Sequence, residues 1–201
     1  MIQSIFGSKV LILNNTKELL TNETYNEIIT QIVNTNSVIS GHSYTRGGKV
    51  YTTDLKSIVK DCKKAEISNL ISRLKEHGED YIRLSEKDYS QKLQYHTCTV
   101  NLCYTGAEII NHTDTRDDAD GESLTVLYYP KVPKDSGNLV FMHNSKFGEW
   151  ASDSVDKDTV KIELRADDIV IFDNYTLHAV GTHKSTEARM SIHTQFDIVE
   201  N

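Results

Sequence analysis

Arg189-Met190-Ser191-Ile192-His193-Thr194-Gln195-Phe196 alternates with a period of two, placing Arg189, Ser191, His193 and Gln195 on one face and Met190, Ile192 and Phe196 on the other. Such a segment is a β-strand with an apolar face against a core and a polar face directed elsewhere. Upstream, Ile169-Val170-Ile171-Phe172 is a second strand-like run, and short β-branched and aromatic runs broken by Gly, Asp and Asn continue back to about Lys92. Strands are expected near residues 94–104, 108–114, 123–129, 138–143, 159–164, 168–173, 177–181 and 188–198. Turns are expected at Thr105-Gly106, Asp120-Gly121, Ser136-Gly137 and Ala166-Asp167-Asp168. Eight antiparallel strands in two packed sheets make a jelly roll.

Before Lys92 the texture is helical. Thr16 reads as an N-cap for a helix running through Val33, with Leu19, Leu20, Ile28, Ile29, Ile32 and Val33 partly at helical spacing. A second helix between about Leu55 and Ile82 would bury Ile58, Val59, Cys62, Ala65, Ile67, Leu70, Ile71 and Leu74. Between them, Gly41 to Thr53 contains Arg46-Gly47-Gly48 and reads as a loop or hairpin that could cover a site. The expected architecture is α+β in a single domain over residues 1–201. Mainly helical residues 1–91 would support a double-stranded β-helix of about eight strands over residues 92–199.

With 38% hydrophobic and 25% charged residues in 201, and a mean hydropathy of -0.45, the chain has the composition of a water-soluble folded protein. The run Val10 to Leu13 is too short for a signal-peptide core, and no stretch approaches the length of a membrane span. Three cysteines, Cys62, Cys98 and Cys103, leave one unpaired in any disulfide scheme and form no C-x-x-C pair, so a reducing, cytoplasmic setting is expected. The net charge of -7 and the lack of a basic stripe disfavour nucleic acid as a partner; Lys56 to Lys64 reads as a solvated helix face. Neither membrane contact nor a particular oligomeric state is indicated.

His112-Thr113-Asp114 places an imidazole and a carboxylate on one face of a strand end, as two adjacent ligands of one metal require. By itself the motif is weak evidence, because 8 histidines and 29 acids predict roughly one H-x-[DE] by chance, and His77-Gly78-Glu79 is another. His178, in Tyr175-Thr176-Leu177-His178, supplies a third ligand soon after the strand Ile169 to Phe172. Two histidines and one carboxylate leave three positions open, as in non-haem iron(II) oxygenases, although zinc hydrolysis uses a similar set. Iron is favoured by Arg189, 11 residues after His178, since an Arg on a polar inner face must meet an anion or water. A dicarboxylate could bind the metal at one end and Arg189 at the other, with the Ser191 hydroxyl adding a donor.

These residues resemble the 2-oxoglutarate oxygenases, and their surroundings look most like the prolyl-hydroxylase branch. Tyr104-Thr105-Gly106 resembles a Tyr-x-Gly element, Leu127-Tyr128-Tyr129 a paired-tyrosine strand, and Ser136-Gly137-Asn138-Leu139 a Gly-Gly-x-Leu strand in which Asn138 replaces the second glycine. The resemblance spans roughly residues 94–198. It implies iron(II) held by His112, Asp114 and His178, and 2-oxoglutarate held by Arg189, Ser191, Tyr104 and Tyr129. It further implies dioxygen as co-substrate, ascorbate as reductant, and hydroxylation of an unactivated C–H bond. The substrate implied is a prolyl residue in a protein or peptide, with a free amino acid or other small metabolite as the alternative. A metal-binding jelly-roll sensor without turnover is the reading from another class. The substrate-contacting C-terminal residues of prolyl hydroxylases are not recognisable. His42, His96, His143 and His183 read as ordinary core or surface residues, His193 as a support or surface group, and Trp150 as a loop anchor or part of a substrate mouth.

Overall fold

The computed structural model describes residues 1–14, 16, 18–34, 45–59, 63–87, 90–115, 122–144 and 158–200. All eight strands expected in the second half are present: β5 (Lys92–Cys103), β6 (Glu108–His112), β7 (Ser123–Lys131), β8 (Leu139–Met142), β9 (Thr159–Ile162), β10 (Asp168–Asp173), β11 (His178–Val180) and β12 (Arg189–Val199). The N-terminal half adds four more, β1 (Ile2–Ile5), β2 (Ser8–Leu13), β3 (Thr45–Arg46) and β4 (Val50–Asp54). A seven-stranded sheet runs β1-β2-β10-β7-β12-β5-β4 and a five-stranded sheet runs β3-β6-β11-β8-β9, with every recorded pairing antiparallel. This is a double-stranded β-helix with more strands than the sequence pattern reveals.

The helical expectation for residues 1–91 is therefore corrected in three places. Ser8–Leu13 carries the buried run Val10-Leu11-Ile12 and is a strand because it pairs with β10, a choice that a short apolar run does not make by itself. The first helix, α1 (Asn22–Asn34), begins later than Thr16, whose backbone N–H donates to the Asp167 carbonyl at 3.0 Å. Thr21 caps it instead, accepting from the Thr24 N–H at 3.3 Å, while Glu66 accepts from the Thr21 N–H at 2.7 Å. The long second helix is two: α2 (Leu55–Ile58), capped by Asp54, and α3 (Lys64–Leu84), because Val59 is extended with φ -92° and ψ 143°. Cys62 lies outside the described residues.

The seven-stranded sheet is buried on both faces. Against its outer face α3 lays Ile67, Leu70, Ile71, Leu74, Tyr81 and Ile82, which meet Cys98, Val100, Leu102, Met190, Ile192 and Phe196. On its inner face, Leu127, Tyr129, Val170 and Phe172 meet Leu139, Phe141 and Val180 from the smaller sheet. Tyr81 ties the helix to the barrel, its one hydroxyl proton shared between the Lys9 carbonyl at 2.9 Å and Asp173 Oδ2 at 3.1 Å, and Lys87 pairs with Asp173 Oδ1 at 2.8 Å. Asp173 ends β10 and starts the turn into β11, so this anchor fixes the approach to His178.

Gly47 and Gly48 lie between a strand of one sheet and a strand of the other, since β3 pairs with β6 while β4 pairs with β5. The described part of the Gly41–Thr53 segment is thus a crossing between sheets rather than a hairpin; residues 41–44 lie outside the described residues. A Cβ on Gly48 would stand 2.1 Å from the Thr105 carbonyl oxygen, a backbone atom that cannot move aside cheaply. The expected turn at Asp120-Gly121 rests on residues outside those described.

Candidate active site

His112 closes β6 and His178 opens β11, and the two are direct cross-strand partners, with ring centroids 4.3 Å apart. Each ring is oriented from behind: the Nδ1 of His112 is 2.8 Å from the Ile110 carbonyl oxygen, and that of His178 is 2.9 Å from the Thr176 carbonyl oxygen. A carbonyl only accepts, so each Nδ1 carries the proton and each Nε2 offers its lone pair. Both Nε2 atoms point to Asp114, His112 at 3.7 Å from Oδ1 and His178 at 3.7 Å from Oδ2. One ligand atom from each of the three residues lies within 4.8 Å of the others, and no second such group occurs among the described residues. His77 and Glu79 sit on α3, where Glu79 pairs with Lys75 at 3.1 Å.

The Asp114 carboxylate is held on one side. Thr125, fully buried on β7, donates to Oδ2 at 2.8 Å; His193 Nε2 stands 3.3 Å from the same oxygen; Gln195 Nε2 donates to the Asp114 carbonyl at 3.0 Å. Burial alone would raise the Asp114 carboxyl, but the neighbouring His193 and His178 rings, the His193 hydrogen bond and His112 hold it well below the usual carboxylate range. Burial and the neighbouring His178 push the His112 imidazole down to about 4, against the pull of Asp114, which keeps that ring neutral and ready to ligate at pH 7. His193 is shifted the other way: burial lowers it, and the charge and hydrogen bond of Asp114 raise it by more. This donor set fits a metal with open positions, with Oδ1 the less encumbered carboxylate oxygen.

His193 would act on a bound metal only through its contact with Asp114. Removing the donor in His193→Ala should weaken iron(II) or manganese(II) binding by roughly 10–100-fold, with His193→Gln recovering part of it because an amide N–H can still donate. Metal titration of the purified variants reads this directly, and equal affinities in all three proteins would show that His193 does not position the carboxylate.

Arg189 opens β12 on the same inner face as Ser191, His193 and Gln195, and is only 1% exposed. Its Nη1 donates to the Ser136 carbonyl at 3.1 Å and its Nη2 to Cys103 Sγ at 3.2 Å, while Nε has no partner. Among the described residues no carboxylate forms an ion pair with it. A buried guanidinium so placed could receive an anion. Ser191, 7% exposed, follows it along the strand, and Tyr129, 2% exposed, feels its charge: burial raises the phenol and Arg189 opposes. Cys103 and the Ser136 carbonyl were not foreseen beside Arg189; the buried hydroxyl of Thr125, alone polar between Leu124 and Val126, was the one missed group with a signal in the sequence.

Tyr104 is a correction. Cys103 is the cross-strand partner of Arg189 and shares its inner face, so the next side chain turns outward; Tyr104 packs edge-on to Tyr51 at 5.5 Å in the helix-facing core, away from the guanidinium. His183 is a core residue buried between the Ser136 and Glu187 carbonyls, its Nδ1 3.2 Å from the first and its Nε2 2.7 Å from the second, and His143 packs edge-on against Phe6. His42 and Trp150 lie outside the described residues. Gly137, at φ +77°, holds the turn that presents the Ser136 carbonyl to Arg189, and a Cβ there would lie 2.1 Å from the Gly181 carbonyl oxygen. Gly137→Ala should therefore cost roughly 2–4 kcal/mol in chemical denaturation, combining left-handed strain with a backbone clash. A loss below about 0.5 kcal/mol would mean the turn relaxes freely.

Residues 98–196 match the family model described as the 2OG-Fe(II) oxygenase superfamily, a span that contains His112, Asp114, His178 and Arg189. The chain belongs to this superfamily. An oxygenase of this kind uses iron(II) and 2-oxoglutarate, and the two-histidine, one-carboxylate group is where the described residues could hold the iron. No curated protein is significantly similar in sequence. Among solved structures the oxygenase resembles a Trichoplax adhaerens prolyl hydroxylase in complex with a hypoxia inducible factor peptide fragment, at TM-score 0.56 and 19% identity over 94% of this chain and 83% of that one. It also resembles a Pseudomonas putida prolyl-4-hydroxylase, at TM-score 0.55 and 17% identity over 94% and 91% of the two chains. A 2OG-Fe(II) oxygenase family oxidoreductase from Burkholderia pseudomallei reaches TM-score 0.62 at 12% identity, over 94% and 85%. At these identities the structures speak for a shared fold. Among the described residues no helix is long and apolar enough to cross a membrane.

Proposed function

We propose that this oxygenase hydroxylates an unactivated C–H bond, with His112, Asp114 and His178 holding iron(II) and Arg189, assisted by Ser191 and Tyr129, holding the distal carboxylate of 2-oxoglutarate. The observation that carries the assignment is Arg189: a guanidinium 1% exposed, with an unpartnered Nε and no carboxylate in ion-pair contact among the described residues, on the strand that also supplies His193 to Asp114. A zinc hydrolase has no need of that cation. The bound iron would supply the activation of dioxygen. The chain's own part is to present two neutral imidazoles and one carboxylate oxygen, to keep the other oxygen occupied by Thr125 and His193, and to neutralise the co-substrate at Arg189.

The likeness in fold to prolyl hydroxylases makes a prolyl residue of a protein or peptide the first substrate to test. A second reading, a small metabolite, is supported by a cavity of about 410 Å³ that opens on His112 and Asp114 and is lined largely by threonines and amides. The buried free thiols of Cys98 and Cys103 support a reducing, cytoplasmic setting. Anaerobic reconstitution with iron(II) and 2-oxoglutarate should produce a visible metal-to-ligand charge-transfer band. Admitting oxygen should release succinate and yield a product one oxygen atom heavier, sought by mass spectrometry across peptides and metabolites. A protein that binds zinc but gives neither band nor succinate would overturn the proposal.

A further inference from the structure

Antiparallel register arranges the inner wall of the larger sheet in rows. Val50, Cys103 and Arg189 form the first, Thr52, Asn101 and Ser191 the second, Thr99 and His193 the next, and Thr97 and Gln195 the last. Their alternate neighbours Cys98, Val100, Leu102, Met190 and Ile192 face the helices, so these polar side chains face the barrel interior. Asp114 touches the third and fourth rows, through His193 and Gln195, and Arg189 lies in the first. A co-substrate stretched from metal to Arg189 crosses the second row, which leaves Thr97, Thr99, Gln195, Thr113 and Thr115 around the outer part of the cavity.

That outer wall has an unusual chemistry for a hydrophobic ring. The described lining of the cavity contributes hydroxyls and amides, two aliphatic residues, Val50 and Ile109, the imidazoles of His112 and His193 beside Asp114, its one acid, and no Lys, Arg or Glu. Thr hydroxyls rotate and can both donate and accept, Thr113 and Thr115 already share a hydrogen bond at 2.8 Å, and Gln195 keeps its carbonyl after its N–H₂ binds the Asp114 carbonyl. A prolyl ring seated here would strip water from these groups and return no hydrogen bond. A polyol would satisfy them in both directions. Apart from the imidazoles of His112 and His193, both of which face Asp114, the described wall has no basic group for a phosphate or carboxylate substituent, in a chain whose net charge is already -7.

We propose that the substrate group seated beside the metal is an uncharged, polyhydroxylated ring or chain, recognised by the threonine and glutamine side chains of this wall, which favours the small-metabolite reading over a prolyl ring. The inference rests on the oxygenase assignment above and names the substrate class of that site. The test uses the anaerobic complex with iron(II) and 2-oxoglutarate, to which myo-inositol, D-glucose, cyclohexanol and N-acetyl-proline amide are added separately at millimolar concentration. A shift of the charge-transfer band reports occupancy beside the metal, and succinate release on adding oxygen reports productive placement. At least one polyol should act at a concentration roughly tenfold or more below cyclohexanol and the proline derivative. Thr97→Val should lose that response and Thr97→Ser regain it, with the charge-transfer band itself showing that each variant is folded. Cyclohexanol or the proline derivative acting as well as the polyols would overturn the inference, as would silence to both polyols. If the band never forms, the oxygenase assignment fails first; if it forms and the polyols are silent, only the substrate class is wrong.

Discussion

Asp114→Ala is expected to abolish turnover and weaken iron(II) binding by at least about a hundredfold. Asp114 is the one anionic member of the ligand group, and its Oδ1 lies 3.7 Å from His112 Nε2. Its loss leaves two ligand imidazoles, with His193 deprived of its acceptor, around a space with no charge to balance a dication. Asp114→Asn keeps the shape and removes the charge, so it separates the two contributions and should also be inactive. Asp114→Glu pushes the carboxylate a methylene farther toward imidazoles already close to it, and weak metal binding with misplaced geometry is the expected result. His178→Ala should erase the charge-transfer band for the companion reason. Isothermal titration with manganese(II) and succinate release are the measurements. Wild-type metal affinity in Asp114→Ala would remove this carboxylate from the metal site.

The second large effect concerns Arg189, and it has opposite signs for ligand binding and for stability. Arg189→Ala should raise the 2-oxoglutarate dissociation constant roughly thirtyfold or more, corresponding to about 2–5 kcal/mol for a desolvated charge pair, while iron affinity stays nearly constant. Arg189→Lys should recover only part, because an ammonium at this depth offers charge without the planar fork. Arg189→Met fills similar volume without a charge. Since no carboxylate pairs with Arg189 among the described residues, burying that charge costs the apoprotein stability, and the Met variant should be as stable as wild type or more so. Adding 2-oxoglutarate with manganese(II) should raise the melting temperature of wild type and not of Arg189→Met. Equal 2-oxoglutarate affinity across these proteins would sink the assignment. Joint loss of metal and co-substrate, with a lowered melting temperature, would point to structural damage instead.

How far the sequence alone reaches can be judged from particular segments. Period-two alternation is a local property, so β12 was legible residue by residue, and with it the shared face of Arg189, Ser191, His193 and Gln195. The two-residue spacing of His112 and Asp114 was equally local. His178 could be joined to them because a strand and a turn precede it. The N-terminal strand Ser8–Leu13 was not legible, since a short apolar run has no period and becomes a strand only by pairing with β10, more than 150 residues away.

Tertiary structure alone decided the rest. Tyr104 stands one residue beyond Cys103, and the pairing of Cys103 with Arg189 sends its ring to the helices rather than to the co-substrate. Thr125 reaches Asp114 across two sheets, and Thr52, Asn101 and Ser191 become one row only because β4, β5 and β12 are in register. Each segment carries its own alternation, and so which side chains could serve as metal ligands, and which cation would be buried, was written locally. Which alternations face one another depends on non-local register, whose one-residue shift would turn every side chain to the opposite face, and that is fixed only when the two sheets close on their common core.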